Sequence, residues 1–348
     1  SNLLTYREEL ENDLSFYYKK LFTGSHLGTI NPVYRKKELS AIERAVSRID
    51  AGVNGGIIVL GEADAGKTYF IESITNTLEN RERFNIKPPA KQNFDVNDIH
   101  LAFQNTFGKS GTAEAILNQL NNKSILIFDD LENWWVKAPN GSAAINYLSK
   151  LIEKFGSKHY FILSANLFSY DIIRKSSDIE KQILSNIIVP PMSRMEMKEV
   201  LMNRHRTGGA EILYNNQPLS EAKKIDAMFN DIYNKSNGNI GVALTIWISS
   251  LNKDIQDNLF IQKSNPIVFP KITNPSWKAI LYQFIIHKSL TDEQIRKIYG
   301  ETQWVYATLK ELEKAALIYK KSNTVYAIND TARYFIEEWL KELKILND

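Results

Sequence analysis

The sequence predicts an α/β fold: a parallel sheet with helices on both faces, then an all-helical segment, then a small C-terminal domain. Three observations carry this. In the first half of the chain, short apolar runs alternate with helical patterns, as in buried parallel strands joined by crossover helices. From about 194 to 251 the pattern is helical throughout. Pro266, Pro270 and Pro275 then break residues 253–275 into a linker-like stretch, and 276–348 follow as a compact tail.

In chain order, 5–22 predicts a mixed helix and 35–51 an amphipathic one. Gly56-Ile57-Ile58-Val59-Leu60 is the first buried strand. Residues 124–128, 160–164 and 187–189 supply three more, the last stopped by Pro190-Pro191. Helices are expected around 111–120, 142–155 and 168–183, then at 194–205, 219–236 and 239–252. The tail predicts helices at 277–287, 291–298 and 302–316, strands at 317–320 and 324–328, and a helix at 331–344. Thr291, followed by Asp292-Glu293-Gln294, has the form of an N-cap with an acidic first turn. The turn Lys321-Ser322-Asn323 between two short strands makes a hairpin wing, so the tail predicts a winged helix.

Composition narrows the function classes. The 348 residues suit two or three domains, and 43% hydrophobic with 24% charged residues excludes disordered and collagen-like chains. Forty-three basic residues against 40 acidic leave a net charge of +3, too small to imply nucleic acid or a membrane surface without local patches. With no cysteine, a disulfide scaffold and thiolate chemistry are excluded. His26, His100, His159, His205 and His287 match no metal-ligand spacing. No apolar run approaches the roughly 18 residues of a membrane span, and no secretory hydrophobic region opens the sequence. A cytoplasmic location without membrane association is the expectation.

The most specific signal is Gly61-Glu62-Ala63-Asp64-Ala65-Gly66-Lys67-Thr68, which fits G-x-x-x-x-G-K-[ST] between a strand and a helix. A loop so placed turns successive backbone N–H groups toward a phosphate, and the helix N-terminus adds its positive end. Lys67 is expected on the β- and γ-phosphates and the Thr68 hydroxyl on Mg²⁺. Residues 61–68 together with Tyr69 form the expected cofactor-binding segment, and the cofactors are ATP and Mg²⁺. The acid that such a loop needs stands at the end of the next predicted strand, where Asp129 is the expected metal-side residue and Asp130 the expected catalytic carboxylate. Glu132 is an alternative base. Asn166, just past the third predicted strand, is placed to hydrogen-bond the γ-phosphate or the attacking water; an Asn that turns a loop is the other reading. Trp134-Trp135 is either core or an exposed partner-binding loop.

With this layout the chain resembles the initiator-type AAA+ ATPases of the origin-recognition group, and the signal-transduction (STAND-like) ATPases that share their core. The resemblance covers about residues 30–345. Residues 31–39 resemble the family segment that packs near the adenine. Ile187-Ile188-Val189-Pro190-Pro191-Met192-Ser193 with Glu196, Val200, Leu201 and Arg204 resembles the last core strand and first lid helix, and 237–244 the glycine-led final lid helix. It implies a P-loop NTPase core at 31–193 behind an N-terminal helical segment (1–30), an all-helical lid (194–252), a linker (253–275) and a winged helix (276–348). Relatives that hydrolyse briskly usually carry Glu at the position of Asp130. They also carry a lid arginine where this chain has Gly241, and a trans-acting arginine finger, for which Arg174 is the one arginine in the matching interval. These departures imply slow or partner-dependent hydrolysis.

Two functions follow from the resemblance. One is a DNA-associated ATPase that forms a nucleotide-dependent homo-oligomer and loads or recruits another protein, with Lys310, Lys320 and Lys321 of the winged helix on double-stranded DNA. The other is a slowly hydrolysing ATP switch whose winged helix binds protein, in keeping with Glu301, Glu311 and Glu313 on and beside the third helix of that domain. The protein partner is unknown in both.

Overall fold

The computed structural model of the protein describes residues 15–22, 35–78, 81–219, 225–254, 258–261, 272 and 274–346. The first helices are α1 (Phe16–Phe22) and α2 (Lys36–Asp50). Then come β1 (Gly56–Gly61), α3 (Lys67–Thr77), β2 (Arg83–Asn85), α4 (Val96–Phe107), α5 (Ala113–Gln119) and β3 (Ile125–Phe128). A 3-10 turn at Leu131–Trp134 leads to α6 (Ala143–Phe155), β4 (Tyr160–Asn166), α7 (Leu167–Ser176) and β5 (Ile183–Ile188). The lid segment holds α8 (Arg194–Gly208), β6 (Leu213–Tyr214), β7 (Gln217–Pro218), α9 (Ile225–Ser236), α10 (Ile240–Ser249), β8 (Leu251–Lys253) and β9 (Leu259–Ile261). The tail holds α11 (Pro275–His287), β10 (Ser289–Thr291), α12 (Asp292–Tyr299), α13 (Gln303–Lys314), β11 (Ile318–Ser322), β12 (Val325–Ile328) and α14 (Asp330–Glu342). Among the described residues no helix is long and apolar enough to cross a membrane.

The chain divides into two compact units. One comprises 35–63, 67–189 and the described residues from 272 onward; the other comprises α1, 64–66 and the lid segment. The first is built on a parallel sheet in the order β2-β3-β4-β1-β5. Every residue of β1, β3 and β4 is buried, as the continuous apolar runs require of a sheet covered on both faces. Ile58, Leu126, Phe128, Phe161 and Leu163 share a core with Ile99 and Phe103 of α4, Ile116 of α5 and Leu148 and Ile152 of α6.

The four expected strands form, and a fifth joins them. β2 is three partly exposed residues at the sheet edge, too short and too polar for an apolar-run signal. α4 was not expected, although Asp95 caps it by accepting from Asn97 N–H and Gly108 closes it at φ 61°. The helix expected over 168–183 stops at Ser176, because the hydroxyls of Ser176 and Ser177 both bond the Ile173 carbonyl at 3.2 and 2.7 Å. β5 therefore starts at Ile183, ahead of the expected 187.

In the second unit the three lid helices form. Ser193 and Glu196 complete a capping box on α8, and Asn239 caps α10. The all-helical expectation fails at 213–218 and 251–252, and β6, β7 and β8 pair with β9 from the expected linker as a small sheet in the order β7-β6-β9-β8. Its hairpin turns through Asn215 and Asn216 at φ 50° and 60°, the left-handed pair that a two-residue hairpin needs. Most of the expected linker and residues 1–14 of the N-terminal segment lie outside the described residues. α1 is held by one aromatic cluster. Tyr18 Oη accepts from Trp247 Nε1 at 3.0 Å and hydrogen-bonds His205 Nδ1 at 3.3 Å. Phe22 and Phe229 stack on the Trp247 ring at 5.7 and 6.0 Å.

The tail is a winged helix with three strands in the order β10-β12-β11, all antiparallel. Thr291 and Gln294 form the capping box of α12. Trp134 and Trp135 are core: both are buried, and Trp135 stacks on His287 of α11 at 4.7 Å. The exposed-loop reading is thereby set aside.

Trp247→Ala removes the ring on which this cluster is built. It is expected to destabilise the lid-containing unit by about 3–5 kcal/mol, read by urea unfolding. An unchanged midpoint would contradict the role given to the cluster.

Candidate nucleotide-binding site

The sheet register sets the site. Gly61 pairs with Asn166 across β1 and β4, and Phe128 pairs with Leu163 across β3 and β4. The loops after β1, β3 and β4 therefore leave one end of the sheet side by side, where open parallel sheets bind ligands. The loop after β1 passes through φ 58° at Asp64 and 86° at Gly66 and runs into α3 at Lys67, with Tyr69 half-buried in the first turn. Lys67 is buried, and its Nζ donates to the carbonyls of Gly61 at 3.1 Å and Glu62 at 2.8 Å. Burial lowers its pKa, against the pull of Glu132 and Asp130.

Two hard oxygen donors stand together beside it. Thr68 Oγ1 donates to Asp129 Oδ2 at 2.8 Å, a hydroxyl and a carboxylate of the kind Mg²⁺ takes alongside waters and phosphate oxygens. The residues present fit the metal. Ser164 Oγ donates to the other oxygen of Asp129 and accepts from Asp130 N–H, the latter at 2.8 Å, which locks the acid pair onto β4. Asp130 itself is left-handed at φ 55°. Glu132 is buried, and its Oε2 accepts from Asn166 N–H at 3.3 Å. Burial first, then the Asp130 charge, raises its pKa. Asn166 turns the chain from β4 into α7. Its Oδ1 caps α7 by accepting from Phe168 N–H at 2.9 Å, while its Nδ2 points the other way into the site.

Besides Ser164 of β4, the site residues not expected from the sequence come from the winged helix. Lys288, at the α11–β10 turn, forms an ion pair with Asp130. Burial alone raises the Asp130 pKa, but Lys288, with Lys67 and Arg333, holds it below the usual carboxylate range. On α14, Glu337 is fully buried. Its Oε1 accepts from Asn166 Nδ2 at 2.9 Å and lies 3.6 Å from Arg333 Nε, and its Oε2 accepts from Ala63 N–H of the P-loop at 3.4 Å. One α14 turn further on, Lys341 Nζ reaches Glu62 Oε1 at 2.6 Å. No local pattern signals these contacts; the spacing Arg333, Glu337, Lys341 at i, i+4, i+8 marks one helix face, but only the fold shows what it meets.

Other expected residues lie elsewhere. Arg174 spends its hydrogen bonds on Asp171 and Glu180 at 2.7–3.3 Å. In the lid unit, Gly241 N–H donates to Asp64 O at 3.0 Å, and a Cβ on Gly241 would fall 2.4 Å from Asp64 Cβ. No side chain fits there, an arginine least of all. Of the segment expected near the adenine, 31–34 lie outside the described residues; the Arg35 guanidinium sits 6.0 Å over the Phe70 ring of α3. Lys310, Lys320 and Lys321 are exposed.

No family model matches the chain, and no curated protein matches its sequence. Its likeness is structural. The Aeropyrum pernix ORC2 protein, solved as ADPNP-ADP complexes, is 12% identical with a TM-score of 0.51, covering 94% of this chain and 99% of that one. The Aeropyrum pernix ORC1 protein, solved in complex with DNA, is 11% identical with a TM-score of 0.50, covering 93% and 96%. The chain thus has the fold of the origin-recognition AAA+ ATPases, a P-loop core with lid and C-terminal winged helix, as the sequence resemblance implied.

The burial of Glu337 makes stability depend on pH. Desolvation raises its pKa from 4.5 to about 7, with Arg333, Lys67 and the Ala63 N–H pulling it down and Glu62 pushing it up. The folded state therefore favours the protonated form, so its contribution is full below about 4.5 and is lost as pH rises to about 7. At about 1.4 kcal/mol per pH unit, the loss is on the order of 3 kcal/mol. Urea unfolding at pH 5 and pH 8 should show Glu337→Gln losing less stability over this range than wild type; equal losses would place the titration elsewhere. Gly241→Ala is expected to cost about 1–3 kcal/mol by overpacking, measured the same way.

Proposed function

We propose that the chain binds ATP with Mg²⁺ at the P-loop and hydrolyses it slowly, as a switch with its winged helix built into the site. The ion pair between Lys288 and Asp130 carries this reading. A general base works best with a pKa near the operating pH; a carboxylate neutralised by a lysine and held below its usual range is a poor proton acceptor. Lys67 would meet the β- and γ-phosphates, Thr68 and Asp129 would hold Mg²⁺, which screens phosphate charge, and Asn166 would orient the attacking water. ATP over GTP follows from the fold likeness.

A second reading, a DNA-associated ATPase that assembles with nucleotide and recruits a partner, is favoured by exposed Lys310, Lys320 and Lys321 on the winged helix and by the likeness to a protein solved with DNA. In that setting Arg174 would act in trans after exchanging Asp171 and Glu180 for a neighbour's phosphate.

The steady-state ATPase rate, with and without duplex DNA at low salt, separates the two. A low rate in both conditions, raised about tenfold or more by Lys288→Ala, supports the switch; strong stimulation by DNA supports the second reading. Lys67→Ala should abolish nucleotide binding, and unchanged affinity would mean the wrong loop. Asp130→Asn should keep binding and slow turnover by about 10²-fold or more; if turnover is unaffected, another group is the base.

A further inference from the structure

We propose that Glu337 holds the place of a phosphate oxygen in the P-loop cradle, so that ATP and helix α14 compete for the same donors. This rests on the reading of the loop as an ATP site and names what regulates it. The groups that receive the Glu337 carboxylate are a P-loop amide, Ala63 N–H, and the polar side chain at the neighbouring strand tip, Asn166 Nδ2. Both are donors that a bound phosphate needs. The carboxyl group is fully buried among them, which disfavours its charge, and above its pKa of about 7 it stands there as an anion beside Lys67. Two anions cannot take one N–H at this range without strong mutual repulsion. A nucleotide that seats its phosphates on Ala63 and Asn166 must turn Glu337 out.

The consequence runs along one helix face. Arg333 is paired with Glu337 at 3.6 Å, and Lys341 with Glu62 of the loop at 2.6 Å. When Glu337 leaves, a terminal phosphate replaces it as the anion beside Arg333. Arg333 then supplies the cation that position 241 has no room to carry. Eviction of Glu337 breaks the central contact between α14 and the loop, so nucleotide loosens the winged helix from the nucleotide core. The positive, negative, positive series along α14 is thus a partner exchanger: Arg333 faces an internal carboxylate when α14 is docked and a phosphate when nucleotide is seated.

The test is the affinity of the full chain for a non-hydrolysable ATP analogue at pH 8, by titration calorimetry, for wild type, Glu337→Ala, Glu337→Asp and Glu337→Gln. Hydrogen exchange over α14 is followed with and without the analogue. Glu337→Ala should bind tighter by roughly tenfold or more, the loss of one charge-assisted hydrogen bond from the competing state. Glu337→Asp, one methylene too short to reach both donors, should also bind tighter and serves if the alanine variant does not fold. Glu337→Gln keeps one acceptor oxygen but sets an NH2 where the second stood, so it can take only one of the two donors and carries no charge; it should bind tighter than wild type, by less than the alanine variant. The analogue should raise exchange in α14 of wild type. Tight binding by wild type with no gain in the alanine or aspartate variant, or with unchanged exchange in α14, overturns the competition while leaving the ATP site standing. No binding by wild type, with Lys67→Ala indistinguishable from it, removes the site and the proposal together.

Discussion

Buried charge governs this structure. At one end of the sheet the chain gathers buried Glu132, Glu337, Lys67 and Arg333 with half-buried Asp129, Asp130 and Lys288. Charges taken out of water are tolerated only when paired and hydrogen-bonded, so each member fixes its neighbours. Ser164 exists between Asp129 and Asp130 to satisfy both. Glu132 turns back onto the Asn166 amide because a carboxylate beside Asp130 needs a donor of its own. Lys288 and Arg333, two of the three cations, arrive from the winged helix. The docking of that domain is therefore a condition of the charge balance as the structure holds it.

The same balance explains why one domain can serve two ends. A phosphate group brings anionic oxygens to a place already supplied with donors and cations, and it replaces Glu337 without new architecture. Outward, the winged helix keeps Lys310, Lys320 and Lys321 on its exposed face, away from the groups that face the core. Inward contacts and outward lysines lie on different elements of the domain, so engagement of one does not use up the other.

Much of this was legible in the sequence. The P-loop stands out because phosphate binding demands glycine, lysine and hydroxyl at fixed spacing, and the tail announces itself through the Thr291 cap and a short hairpin. Thr68 is part of the loop motif itself, and Asp129 and Asn166 could be placed beside it because strand tips in a parallel sheet share one end. Lys288 and Glu337 could not, because their partners are more than a hundred residues away, and Arg333, paired with Glu337 one turn on, has nothing local to distinguish it from a solvated helix charge. The edge strand at 83–85 and the lid sheet at 213–261 were missed because short, half-exposed strands leave no apolar run. The caps of α4, Asp95 and Gly108, and the Asn215-Asn216 turn are local signals that the sequence does carry.

The left-handed backbone at Asp130 bears on the choice of side chain there. At φ 55° aspartate and asparagine are the readily accepted residues besides glycine, since a short polar side chain bonds locally while a longer one pays steric strain. A glutamate at this position would carry a longer side chain at the same left-handed φ, at a steric cost that aspartate avoids. The shorter acid thus suits the way this loop leaves the sheet.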